Sequence, residues 1–500
     1  MGVVTDLFQI GTIFFILLGS VLGLFIGALP GLTATMGIAI LTPLTFWLPP
    51  EQGLAMLISI YCTGLFASGI PAILINTPGT PASMATTFDG YPLTKQGKAG
   101  VALGVNAIYS GLGGLISTIF LILLAQPIST FALSFGAAEY FALSIFGLSM
   151  MIGISGKSVK KGLLTGFIGL FLATIGLDPI VSTPRFTFDQ SALYEGISFI
   201  PIMIGLFGVG EIFDQILKKQ ETVNAVQQKI GRVLPSRQEH REMAKPFAMS
   251  SILSTFIGAI PGAGGDIASI VTWEQSKRFA KPDKKREFNN GSLSGLAATC
   301  TANNGVIGGA FTTMLTLGLP GDAVTAILIG SLMMYGLQPG PNLFVENPDI
   351  VTTIFGLLLI SNVVVIIVGL FGAHIFSRIM RLKQEYIWTA VILFSVVGSY
   401  ALNNTIFDVW VMFVSGLVGL LFRRLDYPLG PLILGLILGP MAESNFRRAL
   451  VIGGETSYSV FFTNPISLIL LSLAVLTLFS PLIKRLLIIL RQKGGDNHQT

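Results

Sequence analysis

The stretch LFQIGTIFFILLGSVLGLFIGALPGLTAT, residues 7–35, runs without one charged side chain. A helix needs roughly 20 apolar residues to cross the hydrocarbon core of a bilayer. The run is long enough for a crossing, and it closes on a Pro30-Gly31 break. Residues 99–138 and 387–407 are equally free of charge. Over all 500 residues, 52% are hydrophobic and only 11% charged, whereas soluble domains carry about 25% charged residues. The mean hydropathy is +0.76. The expected fold is an all-α polytopic membrane protein with about 10–14 transmembrane or re-entrant helical segments.

The net charge of +5 does not point to nucleic acid. The basic residues cluster between apolar runs, as in cytoplasmic loops. Cys62 and Cys300 lie in apolar segments, and His240, His374 and His498 are scattered. Neither set forms a disulfide framework, a metal site or a relay. The first basic residue is Lys95, so no positive region precedes the first apolar run, and 7–28 is expected to be a retained membrane segment.

The chain contains an internal repeat. Gly27-Ala28-Leu29-Pro30-Gly31 recurs 231 residues on as Gly258-Ala259-Ile260-Pro261-Gly262. Gly53-Leu54-Ala55 recurs as Gly295-Leu296-Ala297, and Pro78-Gly79 as Pro320-Gly321, both at an offset of 242. The extra residues fall at KRFAKPDKKREF (277–288). Loop charge alternates between the copies. LPPEQG (48–53) has no Lys or Arg, but its counterpart holds Lys277, Arg278, Lys281, Lys284, Lys285 and Arg286. Lys95 and Lys98 follow the first Pro-Gly motif, and 336–350 has none. Basic loops stay cytoplasmic, so equivalent loops face opposite sides, and the copies are expected to be inverted-topology repeats. The division expected is 1–217 as first repeat, 218–246 as cytoplasmic linker and 247–500 as second repeat with extra C-terminal helices. The scheme places the N-terminus outside and the C-terminus inside. It leaves Arg447 and Arg448 on the wrong side.

Four Pro/Gly breaks interrupt the apolar sequence: Pro30-Gly31, Asn76 to Pro81, Pro261 to Asp266, and Gly318 to Asp322. Irregular backbone survives in lipid only where protein or water covers it, and breaks at matching positions of two repeats point to a transporter's central site. Each break frees N–H donors at the start of a half-helix, suited with the helix dipole to a carboxylate. Pro30, Gly31, Thr33, Asn76, Thr77, Pro78, Gly79, Thr80, Pro261, Gly262, Gly264, Asn303, Asn304, Pro320 and Gly321 are the candidate substrate-binding positions; Ser83 adds a hydroxyl. No Lys or Arg lies in the breaks.

Asp266 and Asp322 are acids at bilayer depth, where an ionisable group is a functional candidate by default. Aligned by the offsets they match Thr35 and Thr80. These four are the candidate ligands for a coupling ion, sodium or proton. The bland alternative is that each aspartate caps its own half-helix. Asn303-Asn304, aligned with Tyr61-Cys62, either reaches the site or bonds across helices. Glu139, Glu211 and Asp408 read as structural.

Enzyme readings fail. The chain has no HExxH zinc motif and no Walker loop. The Gly264-Gly265-Asp266 run lacks the glycine at position 263 that an intramembrane aspartyl protease motif needs.

GALPGLTATMGIAILTPLTF (27–46), LINTPGTPASMATTFDGYPL (74–93), GAIPGAGGDIASIV (258–271) and MLTLGLPGDAVTAILIGSLMMYGLQPGP (314–341) resemble the TctA family. That family is the large membrane subunit of tripartite tricarboxylate transporters. The resemblance implies a multi-pass permease of the bacterial inner (cytoplasmic) membrane that imports tricarboxylates or dicarboxylates by sodium or proton symport and needs no cofactor. It implies two partners, a small TctB-like membrane subunit and a periplasmic TctC-like solute-binding protein. The competing readings are a passive anion channel and a scaffold without transport.

Overall fold

Apolar runs become helices here because a backbone in lipid must satisfy its own hydrogen bonds. The computed structural model describes residues 7–29, 32–154, 158–178, 181–217, 230–379, 384–454 and 458–479. Pro30 and Gly31 lie outside these residues, as do Lys157, residues 218–229 of the expected linker, Arg381, Lys383 and the Lys484/Arg485 end.

Among the described residues the regular structure is helical apart from a two-residue antiparallel pair, β1 (Gly176–Leu177) with β2 (Pro184–Arg185). Six helices among the described residues are long and apolar enough to cross a membrane. They are Ile10–Ala28, Pro50–Ile75, Ala99–Ala132, Phe199–Leu217, Pro348–Ala373 and Ile406–Arg424. Shorter apolar helices cover Ala34–Thr45, Ala137–Ser149, Ala323–Met334, Trp388–Asn403 and Pro465–Phe479. The protein is a multi-pass membrane protein.

Two compact units form. The first combines Met1–Leu133 with Ser198–Asp426, and the second combines Ser134–Ile197 with Tyr427–Thr500.

In the first unit the helices in chain order are α1 (Ile10–Ala28), α2 (Ala34–Thr45), α3 (Pro50–Ile75), α4 (Thr86–Lys95), α5 (Ala99–Ala132) and α6 (Phe199–Leu217). They continue as α7 (Arg237–Gly258), α8 (Gly264–Arg278), α9 (Leu293–Leu317), α10 (Ala323–Met334), α11 (Pro348–Ile379), α12 (Gln384–Asn403) and α13 (Ile406–Arg424). α3 and α9 are buried along almost their whole length, the pattern of helices apolar all round. α1 packs on α3, and α7 packs on α9. α5 packs on α9, and α11 packs on α3. Close approach at α1–α3 and α7–α9 depends on glycine. A Cβ on Gly27 would stand 2.2 Å from the Gly64 carbonyl oxygen, and one on Gly258 2.3 Å from that of Val306.

Two helix boundaries depart from the hydropathy. The apolar sequence begins near residue 247, yet the helix starts at Arg237. Ser236 caps it, accepting from Glu239 N at 3.3 Å while Glu239 Oε2 accepts from Ser236 N at 2.5 Å. This capping box starts the helix in charged sequence that no hydropathy window marks. The apolar stretch 427–440 likewise runs into a 24-residue helix, Gly430–Gly453, whose second half carries Glu443, Arg447 and Arg448. It is long enough to span the core that 14 residues would not.

That helix, α14, organises the second unit. It packs on Ala137–Ser149 and on Val159–Ala173. Arg447, left over by the loop-charge scheme, is bound into an ion network. Its guanidinium lies 2.9 Å from Asp178 and 2.9 Å from Glu443. Arg185 lies 2.6 Å from Glu443 and 3.6 Å from Asp178. Asp178 is the buried member, 4% exposed. Removing one member of such a cluster leaves its partners uncompensated. Asp178→Asn is expected to cost about 2 kcal/mol, at the low end because the arginines are part-exposed. Thermal unfolding of the purified protein, with Arg448→Gln as a neighbouring control, measures this.

The remaining acids singled out as structural have local partners. Glu139 accepts from Gly136 N at 2.9 Å. Glu211 pairs with Arg423 at 2.5 Å. Asp408 accepts from Asn403 Nδ2 at 2.8 Å.

Candidate functional site

The two central helices end in the same way. α3 stops at Asn76 with φ 58°, and α9 stops at Gly318 with φ 70°. This left-handed cap is natural for Gly and tolerated by Asn. The next amide then folds back. Thr77 N donates to Pro71 O at 3.3 Å, and Leu319 N donates to Thr313 O at 3.4 Å. Donors and acceptors are each 242 residues apart. The Pro-Gly pair follows, and then another matched device. Thr80 N donates to Ser83 Oγ at 3.2 Å, and Asp322 N donates to Thr325 Oγ1 at 2.9 Å. Asp322 Oδ1 also accepts from Thr325 N at 2.8 Å, so Asp322 caps α10.

The three described breaks converge, and the end of α1 lies against one of them. Gly262 N donates to Gly321 O at 2.8 Å. A Cβ on Gly79 would lie 2.8 Å from Gly27 O, and one on Gly321 3.0 Å from Gly258 O. α8 begins at Gly264, whose φ is +54° and where an added Cβ would approach Asp322 Cβ at 3.9 Å. A Cβ on the next residue, Gly265, would stand 2.9 Å from Ala82 Cβ and 3.7 Å from Asn303 Oδ1. The start of α8 thus faces the turn after Thr80, the cap of α10 and the middle of α9. Thr33 caps α2, accepting from Met36 N at 3.2 Å.

The two aspartates differ in their surroundings. Both oxygens of Asp322 are engaged, Oδ1 by Thr325 and Oδ2 by the Tyr61 hydroxyl. Tyr61 is fully buried in α3 and stacks on Phe311 at 6.2 Å between centroids. Asp266 lies in the first turn of α8, exposed, and makes no ion pair among the described residues. Thr80 Oγ1 donates to Ser68 Oγ at 3.1 Å, not to an aspartate. Thr35 is half-buried in the first turn of α2.

Asn303 and Asn304 bond across helices. Asn303 Nδ2 donates to Leu65 O at 3.2 Å, and Asn304 Nδ2 donates to Cys62 O at 2.8 Å. Those bonds leave both carboxamide oxygens buried without a partner. Buried acceptors without partners cost about 1–3 kcal/mol each, so this is where a ligand would be expected to compensate. The region can present N–H donors from half-helix starts to an anion. It can present carboxylate and carboxamide oxygens to a cation.

Tyr61 enters the sequence reading only as the position aligned with Asn303, and the structure brings it to the site through its hydroxyl on Asp322.

The profile of the tripartite tricarboxylate transporter TctA family matches residues 13–434. The chain belongs to the TctA family. This TctA chain is 35% identical, over 91% of its length and 90% of the relative's, to an uncharacterized 52.8 kDa protein in the TAR-I ttuC' 3' region of Agrobacterium vitis. It is 32% identical, over 44% of its own length and 90% of the relative's, to an uncharacterized protein in the TAR-II ttuC' 3' region of the same organism. No solved structure matches it. The chain is a membrane transporter subunit and not an enzyme, and the four breaks lie within the matched span.

Proposed function

We propose that this TctA protein is the permease of a binding-protein-dependent secondary transporter that imports di- or tricarboxylates by sodium or proton symport. Its partners are a small TctB-like membrane subunit and a periplasmic TctC-like binding protein, and its place is the bacterial inner membrane. The observation that carries this is the convergence of half-helix starts on one region that holds an exposed aspartate and two orphaned amide oxygens. N–H groups and helix dipoles there suit a carboxylate, and the oxygens suit a cation or proton. The candidate binding positions are those of the breaks, with Pro30 and Gly31 outside the described residues.

We further infer that residues 1–217 and 247–500 are inverted repeats. The packing supports this. Under the repeat alignment α5 answers to α11 and α3 to α9, and each outer helix packs on the core helix of the other copy. Equal bonds at Thr77 and Leu319, and equal close approaches at Gly27 and Gly258, support it further.

Uptake into proteoliposomes holding this chain, its small subunit and its binding protein tests the function. A panel of carboxylates is offered under an imposed sodium or proton gradient. Accumulation above equilibrium under one gradient is expected and identifies the ion. Equilibration without accumulation would make the protein a channel instead.

A further inference from the structure

At the foot of α7 a cleft of about 850 Å³ opens between that helix and the 279–294 segment. Arg237, Arg241 and Lys245 face it from successive turns of α7, and Lys281 and Lys284 face it from across. Three acids also line it, and Lys284 engages two of them, Glu242 at 3.4 Å and Glu287 at 2.9 Å. Among the described residues Arg237, Arg241 and Lys281 form no ion pair, and Asp283 is the acid left to oppose them. A second observation is independent of charge. Ser276 lines the same cleft, is 4% exposed, and its Oγ has no hydrogen-bond partner. A buried donor aimed into a basic cleft wants an acceptor carrying negative charge.

We propose that this cleft seats the phosphate headgroup of an anionic phospholipid. Arg237 and Arg241 present planar donor forks to the phosphate oxygens, and Ser276 donates to one of them. What selects a lipid over a free phosphate is the rest of α7. Ile252 and Phe256 are 47% and 58% exposed. At 3.6 residues per turn they continue the face that carries Arg241, Lys245 and Met249, and Met249 itself lines the cleft. A headgroup in the cleft therefore leaves an acyl chain lying along an apolar stripe of the same helix. The site is separate from the breaks and holds whether or not the transport mechanism does.

The test is a binding titration on the purified full chain in neutral detergent, read by native mass spectrometry and by melting temperature. The probes are phosphatidylglycerol, phosphatidylcholine and glycerol 1-phosphate. Phosphatidylglycerol is expected to bind and to raise the melting temperature, with phosphatidylcholine and glycerol 1-phosphate much weaker. Each basic residue near an anionic lipid contributes about five-fold in affinity, so Arg237→Gln with Arg241→Gln should weaken binding roughly 30-fold. Arg237→Lys with Arg241→Lys keeps the charge but not the forks, and should weaken binding less than the double Gln variant. Lys160→Gln, which alters a basic residue that does not line the cleft, should leave it unchanged. Equal binding of phosphatidylcholine would overturn the charge argument. Glycerol 1-phosphate binding as tightly as phosphatidylglycerol would show a soluble phosphate site. Unaltered phosphatidylglycerol affinity in the double Gln variant would place the lipid elsewhere.

Discussion

Asp266→Asn protein should lose gradient-driven uptake to background while its melting temperature stays close to that of the parent. Asp266 has no ion-pair partner among the described residues and no capping hydrogen bond to lose, so the neutral amide removes charge and little else. Asp322 separates charge from architecture more sharply. Asn caps a helix about as well as Asp, so Asp322→Asn should keep the bond to Thr325 N while the charge disappears. Asp322→Ala removes the cap and strands the buried Tyr61 hydroxyl, at a cost of about 2–4 kcal/mol. Stability and uptake measured on the same preparations therefore give a pattern. If Asp322→Asn transports normally and only Asp322→Ala fails, Asp322 is a cap and nothing more. If Asp266→Asn transports normally, the exposed carboxylate carries no coupling ion. Tyr61→Phe completes the set: losing one hydrogen bond to a charged acceptor costs about 1.5–3 kcal/mol and frees Asp322 Oδ2 for another partner.

The breaks and the central helices were legible because both are written in local sequence. A charge-free run can only be a helix at bilayer depth, and Asn76-Thr77-Pro78-Gly79 cannot continue one. The aspartates were legible for the same reason, being acids inside apolar sequence. Other features were not, and the reasons are specific. α7 begins in RQEHREMAK (237–245), where a capping box and amphipathic charge replace hydropathy as the signal. α14 continues through Pro440, Glu443 and Arg447 because partners 258 and more residues away neutralise the charges. A chain read in one direction shows Asp178, Arg185, Glu443 and Arg447 as loop residues. Only the fold of the second unit brings them together. Tyr61 was hidden by its type, since a tyrosine in an apolar helix reads as core until its hydroxyl partner is known. The capping reading of Asp322 holds in the structure, where one carboxylate oxygen caps α10 and the other meets Tyr61.

Gly27→Ala and Gly258→Ala should each lower the melting temperature by about 1–4 °C and reduce uptake in step with the loss of folded protein. At each site the new methyl would overlap a backbone carbonyl oxygen, Gly64 O at 2.2 Å and Val306 O at 2.3 Å. Backbone cannot rotate aside as a flexible side chain can, so the helices must separate. Separation then loosens what the contact positions. Gly27 O lies against Gly79, and Gly258 O against Gly321, so each glycine holds a Pro-Gly break to its core helix. Overpacking in a tight interior costs about 1–3 kcal/mol, and small residues at helix crossings have no larger substitute when backbones touch. Gly231→Ala is the control, since nothing lies within 4 Å of its Cβ position and it is exposed. The two sites also test the repeat. Sites related by a pseudo-twofold axis meet the same contact, so the two alanine variants should be destabilised to a similar degree. A large loss at one site with none at the other would show that the matching distances do not reflect a shared energetic role. Equal losses with uptake per folded molecule unchanged would limit both glycines to packing. A fall in uptake per folded molecule at both sites would tie the spacing of α1 on α3 and of α7 on α9 to the geometry of the breaks themselves.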